Sequence, residues 1–223
     1  MGYFKWYGED KSKHLSHHGV KGQRWGVRRF QNKDGSRIRK EAKARVEKIS
    51  SDVQNAAKNS GSEMYGLDHR LKTLQSINRK ISKKVVEDGL TSEDAAKGIK
   101  DAVRFTTIAP ANDFVNSYEN FKTIMQDKGY TETRCKNYYE EYRKGKVKHK
   151  AVQSTFATDD GYEFEVQFHT PESQKAKDEK VPIYEERRTV GISPERAAYL
   201  EGEMTRLAES VPDPTGIERI KSH

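Results

Sequence analysis

A single cysteine, Cys135, in 223 residues leaves no internal disulfide to form and no cysteine-rich zinc module to build. Long apolar runs are missing as well. No stretch approaches the roughly 18 residues that a membrane-crossing helix needs, and the opening Met-Gly-Tyr-Phe-Lys-Trp-Tyr lacks the apolar centre of a secretory signal. A soluble protein of a reducing cytoplasm is expected. Apolar residues amount to 33% and charged residues to 34%; against the ordinary ~45 to 50% and ~25%, this predicts a small core, with part of the chain outside it. The commonest catalytic signatures are also absent: there is no phosphate-cradling glycine loop, no serine elbow and no two-histidine zinc helix.

Positive charge is what the sequence has in excess, and it is unevenly placed. Residues 1–40 hold eleven Lys/Arg against three Asp/Glu, a difference that equals the net charge of +8, while residues 41–223 hold thirty-one of each. Basic segments draw nucleic acid through counterion release. That inference attaches to the N-terminal segment and to Arg143 to Lys150, with five Lys/Arg in eight residues, and not to the neutral remainder. Residues 1–38 read as a basic, partly disordered tail, because Tyr3, Phe4, Trp6, Tyr7, Trp25 and Phe30 follow no period that would bury them together. His14, His17 and His18 have no fourth ligand at metal-binding spacing.

Residues 39–65 read as a polar helix, to about residue 59, and a linker, with a thin stripe of Ala42, Val46, Ile49 and Val53. The domain proper is expected over 66–223. A helix over about 68–87 carries Leu71, Leu74, Ile77, Ile81 and Val85 on one face and Lys72, Ser76, Arg79 and Lys83 on another; Thr91 caps a third helix ending near Asp101. Strands are predicted over 103–108 and 130–139, with a helix over 112–128 between them. Residues 151–158 and 162–169 form a hairpin around Asp159-Asp160-Gly161. Helices over 171–188 and 193–210 follow. The class is α+β: a mixed sheet of about four or five strands flanked by helices. Cys135, Tyr138, Tyr139 and Tyr142 are read as packing residues, and Tyr184 to Arg188 as a solvated helix end.

One constellation could carry chemistry. Asp101 sits at a helix-to-strand junction, and the hairpin's second strand turns Glu165, Gln167 and His169 to the face opposite Phe164, Val166 and Phe168. Two carboxylates on neighbouring strands can hold Mg²⁺, and nearby lysines can hold phosphates. A polar strand face is ordinarily just the wet side of an antiparallel sheet.

Two motifs add to this. Residues 70–81, Arg-Leu-Lys-Thr-Leu-Gln-Ser-Ile-Asn-Arg-Lys-Ile, resemble the Arg-x-Lys-x-x-x-Ser-Ile-x-x-Lys helix of the RelA/SpoT family of nucleotide pyrophosphokinases, the alarmone synthetases and their toxic relatives. Residues 164–170, Phe-Glu-Val-Gln-Phe-His-Thr, resemble the family's Glu-x-Gln-x-Arg-Thr strand, and Ile99-Lys100-Asp101 stands where its metal-binding Asp belongs. The resemblance spans about residues 66–190. It implies a nucleotidyltransferase-like synthetase fold, ATP as pyrophosphate donor and Mg²⁺ as cofactor. Arg70, Lys72, Ser76 and Lys80 would lie in the ATP site, with Arg104 also on the cofactor side. Asp101 and Glu165 would be the catalytic and metal-binding carboxylates, with Glu165 taking the proton from an attacking 3′-hydroxyl. Lys136, Asn137, Lys144, Lys146, His149, Gln167 and His169 would contact the acceptor.

The departures bear on that acceptor. Thr106 stands where the family has an Arg, Val147 where its guanine-stacking Tyr belongs, and His169 where its strand Arg belongs. Losing a stacking ring costs base binding ~1 to 3 kcal/mol, so guanosine pentaphosphate synthesis is one alternative beside an adenine nucleotide or a tRNA 3′ end. Leu15 to Ser36 resembles a short peptide found on otherwise unrelated phage and prophage proteins of Gram-positive bacteria. It suggests a docking tag for a phage capsid protein through residues 15–36, a prophage-borne toxin with an antitoxin partner, and virion association as an alternative to the host cytoplasm. The rival reading is a non-enzymatic phage structural protein, and a third is a decayed enzyme that binds nucleotide without turnover.

Overall fold

The structure is a computed structural model that describes residues 27–189 and 191–223, with side chains from residue 33 on. Most of the phage-type peptide at 15–36, the histidines at 14, 17 and 18, and the side chains of Trp25, Val27 and Phe30 lie outside the described residues. The chain forms two compact units. Unit 1 holds residues up to Arg45 together with Leu71–Ala102, and unit 2 holds Val46–Arg70 together with Val103–His223. The division falls within helix α1, Val27–Asn59. No described helix is long and apolar enough to cross a membrane.

The helix expected over residues 39–59 already includes residues 27–38, which read as tail. In a sequence Gly35 looks like a break; in unit 1 it is a contact. A Cβ at Gly35 would lie 1.9 Å from Asn78 Oδ1, so any larger residue would push the Asn78 side chain aside. One residue earlier, the Ser92 hydroxyl donates to Asp34 Oδ2 at 2.7 Å. Unit 1 also contains α2, Leu74–Glu87, and α3, Ser92–Lys97. Helix α2 starts six residues later than periodicity suggested, because Thr73 Oγ1 accepts the Ser76 N–H and makes Thr73 the N-cap. Lys72 is therefore not on the helix; its N–H donates to Ala102 O at 2.9 Å. Ala42, Ile77, Ile81, Ala95, Ala96, Ile99 and Ala102 are buried apolar residues of unit 1.

Unit 2 is built on a five-stranded sheet in the order β1-β2-β5-β4-β3. Its strands are β1, Glu63–Tyr65, β2, Arg104–Ile108, β3, Thr131–Asn137, β4, Val152–Ala157, and β5, Glu163–His169. All neighbours are antiparallel except β2 and β5, which run parallel. The short β1 was not anticipated. Gly161, at φ +80°, supplies the left-handed residue that the β4–β5 hairpin requires. Helix α4, Phe114–Asp127, packs on the apolar sheet face: Phe121 meets Phe168 and Phe156 at ring separations of 5.1 and 6.0 Å, and Tyr118 meets Phe168 at 5.0 Å. Phe164 is fully buried among Phe105, Tyr130 and Phe156.

The strand expected over 130–139 ends at Asn137, where helix α5, Tyr138–Arg143, begins. Asn137 Oδ1 accepts from the N–H groups of Tyr139 and Glu140, and its Nδ2 donates to the carbonyls of Ile217 and Ile220. Tyr138, Tyr139 and Tyr142 are thus helical, with Tyr139 fully buried. Cys135 is buried too; burial pushes its thiol pKa up, which suits a packing residue. Helices α6, Pro171–Arg187, and α7, Pro194–Glu209, complete the unit. Truncating the central ring, Phe164→Ala, should cost about 3 to 5 kcal/mol in denaturant unfolding. A loss under ~1 kcal/mol would contradict this packing.

Candidate active site

In unit 1, Lys72 and Lys80 converge on one carboxylate. Lys72 Nζ donates to Asp101 Oδ2 in a close ion pair, and Lys80 Nζ donates to Asp101 Oδ1 at 2.8 Å. Asp101 is only 7% exposed. Its burial raises the pKa, but the two ammonium groups outweigh that effect and leave the carboxyl below its ordinary range. Ser76 sits at the α2 N-terminus, where the Thr73 hydroxyl donates to its Oγ at 3.0 Å. The remaining residue of this motif, Arg70, belongs to unit 2, where its guanidinium donates to Glu47 Oε1 at 3.1 Å and to Leu67 O at 3.0 Å.

The polar stripe of β5 lies in unit 2 and is not the wet side of a sheet. Glu165 is 6% exposed and His169 4%. Parallel register sets Arg104 beside Glu165, Thr106 beside Gln167 and Ile108 beside His169, while antiparallel register sets Gln153 of β4 beside Gln167. Both Glu165 oxygens accept from amides: Oε2 closely from Gln153 Nε2, Oε1 from Gln167 Nε2 at 2.7 Å.

Beside this stripe is a cavity of about 320 Å³, walled by β4, β5 and α6. Of the expected acceptor contacts it includes His149, Gln167 and His169. The Tyr138 and His149 rings lie 4.3 Å apart at its edge, and Lys136 Nζ is 5.8 Å from the Tyr138 ring centre. Lys144 and Lys146 do not line it. They are exposed and pair with Glu140 at 2.6 Å and Glu141 at 3.5 Å respectively, while Asn137 is committed to the α5 cap.

Sequence reasoning missed Gln153, Lys177 and Lys180. On the page, Lys175 to Lys180 is a run of mostly charged residues that reads as a solvated helix face. In the fold Lys177 Nζ donates to Gln167 Oε1 at 2.7 Å, and Lys180 Nζ donates to Lys148 O. Burial, followed by the like charge of Arg104, lowers the Lys177 pKa to about 8; burial, then Lys148, lowers Lys180 to about 8. Burial also holds His169 well below its ordinary value, so it is neutral. The only cue to Lys177 and Lys180 was their spacing of three, which puts both on one side of a helix.

Among the described residues no three His, Cys, Asp or Glu side chains converge on a metal site. The available donors are carboxylate oxygens, which suit Mg²⁺ held by one or two carboxylates with water and phosphate completing its shell.

Neither a family model nor a curated protein matches the sequence. Solved structures do. Small alarmone synthetase 2 from Bacillus subtilis superposes with a TM-score of 0.54 at 12% identity, over 79% of this chain and 92% of that one. Small alarmone synthetase 1 from the same organism, bound to its product pppGpp, superposes with 0.52 at 12% identity, over 75% and 87%. Identity this low leaves fold as the shared property. The chain has the RelA/SpoT-like pyrophosphokinase fold, α+β with a five-stranded mixed sheet flanked by helices.

Proposed function

We propose that the chain is a Mg²⁺-dependent pyrophosphokinase that moves the β,γ-pyrophosphate of ATP onto a 3′-hydroxyl of a nucleotide or of a tRNA 3′ end. The observation that supports it most is the convergence of Lys72 and Lys80 on Asp101. Three residues that the family resemblance assigns to donor and metal, up to 29 positions apart, meet in one unit. Magnesium, when bound, neutralises charge on the triphosphate. Asp101 is its candidate ligand, and Lys72 and Lys80 are the cations for phosphate oxygens. Glu165 is the second carboxylate of the reading and the base: the 3′-hydroxyl oxygen attacks the β-phosphorus, its proton passes to Glu165, and the bond from the α-phosphate oxygen to the β-phosphorus breaks to release AMP.

The unit 2 cavity is the proposed acceptor site. Its volume is at the small end of the ~300 to 1,000 Å³ usual for ligand pockets, and Lys177 and Lys180 supply positive charge that Lys144 and Lys146 were expected to bring. A prophage-borne toxin with an antitoxin partner, working in the host cytoplasm, is the biological setting that the N-terminal peptide suggests.

With γ-labelled ATP, Mg²⁺ and either mixed nucleotides or total tRNA, label is expected in one acceptor product. Asp101→Asn and Glu165→Gln should each lower transfer at least ~100-fold, the scale of a lost catalytic base or charge stabiliser, with unchanged melting cooperativity. Transfer by folded Glu165→Gln above a tenth of wild type would refute the base assignment. Calorimetry supplies a second test: Lys72→Ala should weaken ATP binding by about 1.5 to 3 kcal/mol, the scale of a hydrogen bond to a charged group. Equal affinity in both forms would remove Lys72 from the donor site.

A further inference from the structure

A cation on α6 stands two hydrogen bonds from Glu165 and has no part in the proton transfer described above. Lys177 Nζ donates to Gln167 Oε1 at 2.7 Å, and Gln167 Nε2 donates to Glu165 Oε1 at the same distance. A primary amide has an acceptor end and a donor end, which exchange when the group turns over. A cation on the oxygen favours one orientation only. The NH₂ end then faces the carboxylate.

The second neighbour of Lys177 has matching polarity. His169 Nδ1 lies 2.9 Å from Ser173 Oγ. That hydroxyl gives its one proton to Thr170 O and accepts from the Thr170 N–H, as part of the cap that starts α6. With that proton on Thr170 O, His169 donates at Nδ1 and keeps a lone pair on Nε2, the tautomer that suits the Lys177 contact. Nε2 faces Lys177 Nζ at 3.5 Å. Two neutral acceptors, Gln167 Oε1 and His169 Nε2, thus fix the ammonium between them, and the α6 cap fixes the histidine.

The geometry points to Lys177 as a positioning residue for Glu165, acting through the Gln167 amide. With its amide locked, Gln167 holds one carboxylate oxygen and Gln153 the other, so the side chain cannot swing away from an incoming hydroxyl. This inference rests on the reading that Glu165 takes the acceptor's proton.

Two measurements test it. In ¹⁵N-labelled protein without nucleotide, the Gln167 side-chain NH₂, assigned by its absence in Gln167→Ala, should shift and exchange faster with solvent in Lys177→Met, and should stay near its wild-type position in Lys177→Arg. In label-transfer kinetics, Lys177→Met should lower kcat about 10- to 100-fold, the range for outer-shell partners, with KM for ATP within about twofold, and Lys177→Arg should recover most of the loss. In a Gln167→Ala background and at saturating acceptor, where a weakened acceptor contact shows in its KM, Lys177→Met should change kcat by less than about twofold, because the route through the amide is gone. Should Lys177→Met lose its dispersed spectrum, Lys177→Gln, which keeps a donor without the charge, takes its place. An unmoved Gln167 resonance, or an undiminished kcat loss in the Gln167→Ala background, overturns the inference. If wild type transfers no label, the pyrophosphokinase reading fails, and the resonance decides the relay by itself.

Discussion

Parallel pairing of β2 with β5 governs the position of the polar stripe in unit 2. It aligns Arg104 with Glu165, Thr106 with Gln167 and Ile108 with His169. A slip by one residue would exchange the two faces of β5. Glu165, Gln167 and His169 would then meet the rings of Tyr118 and Phe121, and Phe164, Val166 and Phe168 would meet Gln153 and α6. Burying three polar side chains against aromatic rings without partners costs several kcal/mol. The aromatic packing on one face therefore locks the register, and the register aims the polar stripe on the other.

The two carboxylates central to the proposed chemistry are held by different partners. Asp101 has direct ammonium partners on both oxygens, which lower its pKa and suit a group that stays charged throughout a reaction. Glu165 accepts from the Gln153 and Gln167 amides, and Lys177 holds the far end of the Gln167 amide.

Much of unit 2 was legible from short-range pattern. Alternation of Phe164, Val166 and Phe168 with Glu165 and Gln167, around Asp159-Asp160-Gly161, defines the hairpin with no knowledge of its partners. Lys72, Lys80 and Asp101, singled out through the family resemblance, meet within unit 1 although Lys72 lies before the helix expected to carry it. What escaped depended on tertiary contacts. Gly35 lies against the Asn78 side chain, and Asn137, which ends β3, reaches the Ile217 and Ile220 carbonyls; the Thr73 cap of α2 was a local signal that periodicity masked. Lys177 and Lys180 were hidden because a charged helix face and a cavity wall look alike until the strand opposite is known. Lys144 and Lys146, expected to meet the acceptor, pair with Glu140 and Glu141, three to five residues away.

Pyrophosphate transfer differs from phosphate transfer in what becomes of the donor. With ATP, Mg²⁺ and an accepted nucleotide or tRNA, the nucleotide products can be resolved by anion-exchange chromatography and mass spectrometry. The account predicts AMP formed in a one-to-one ratio with an acceptor heavier by two phosphates at its 3′ position. ADP with a singly phosphorylated acceptor, or AMP with free pyrophosphate and an unmodified acceptor, would contradict it.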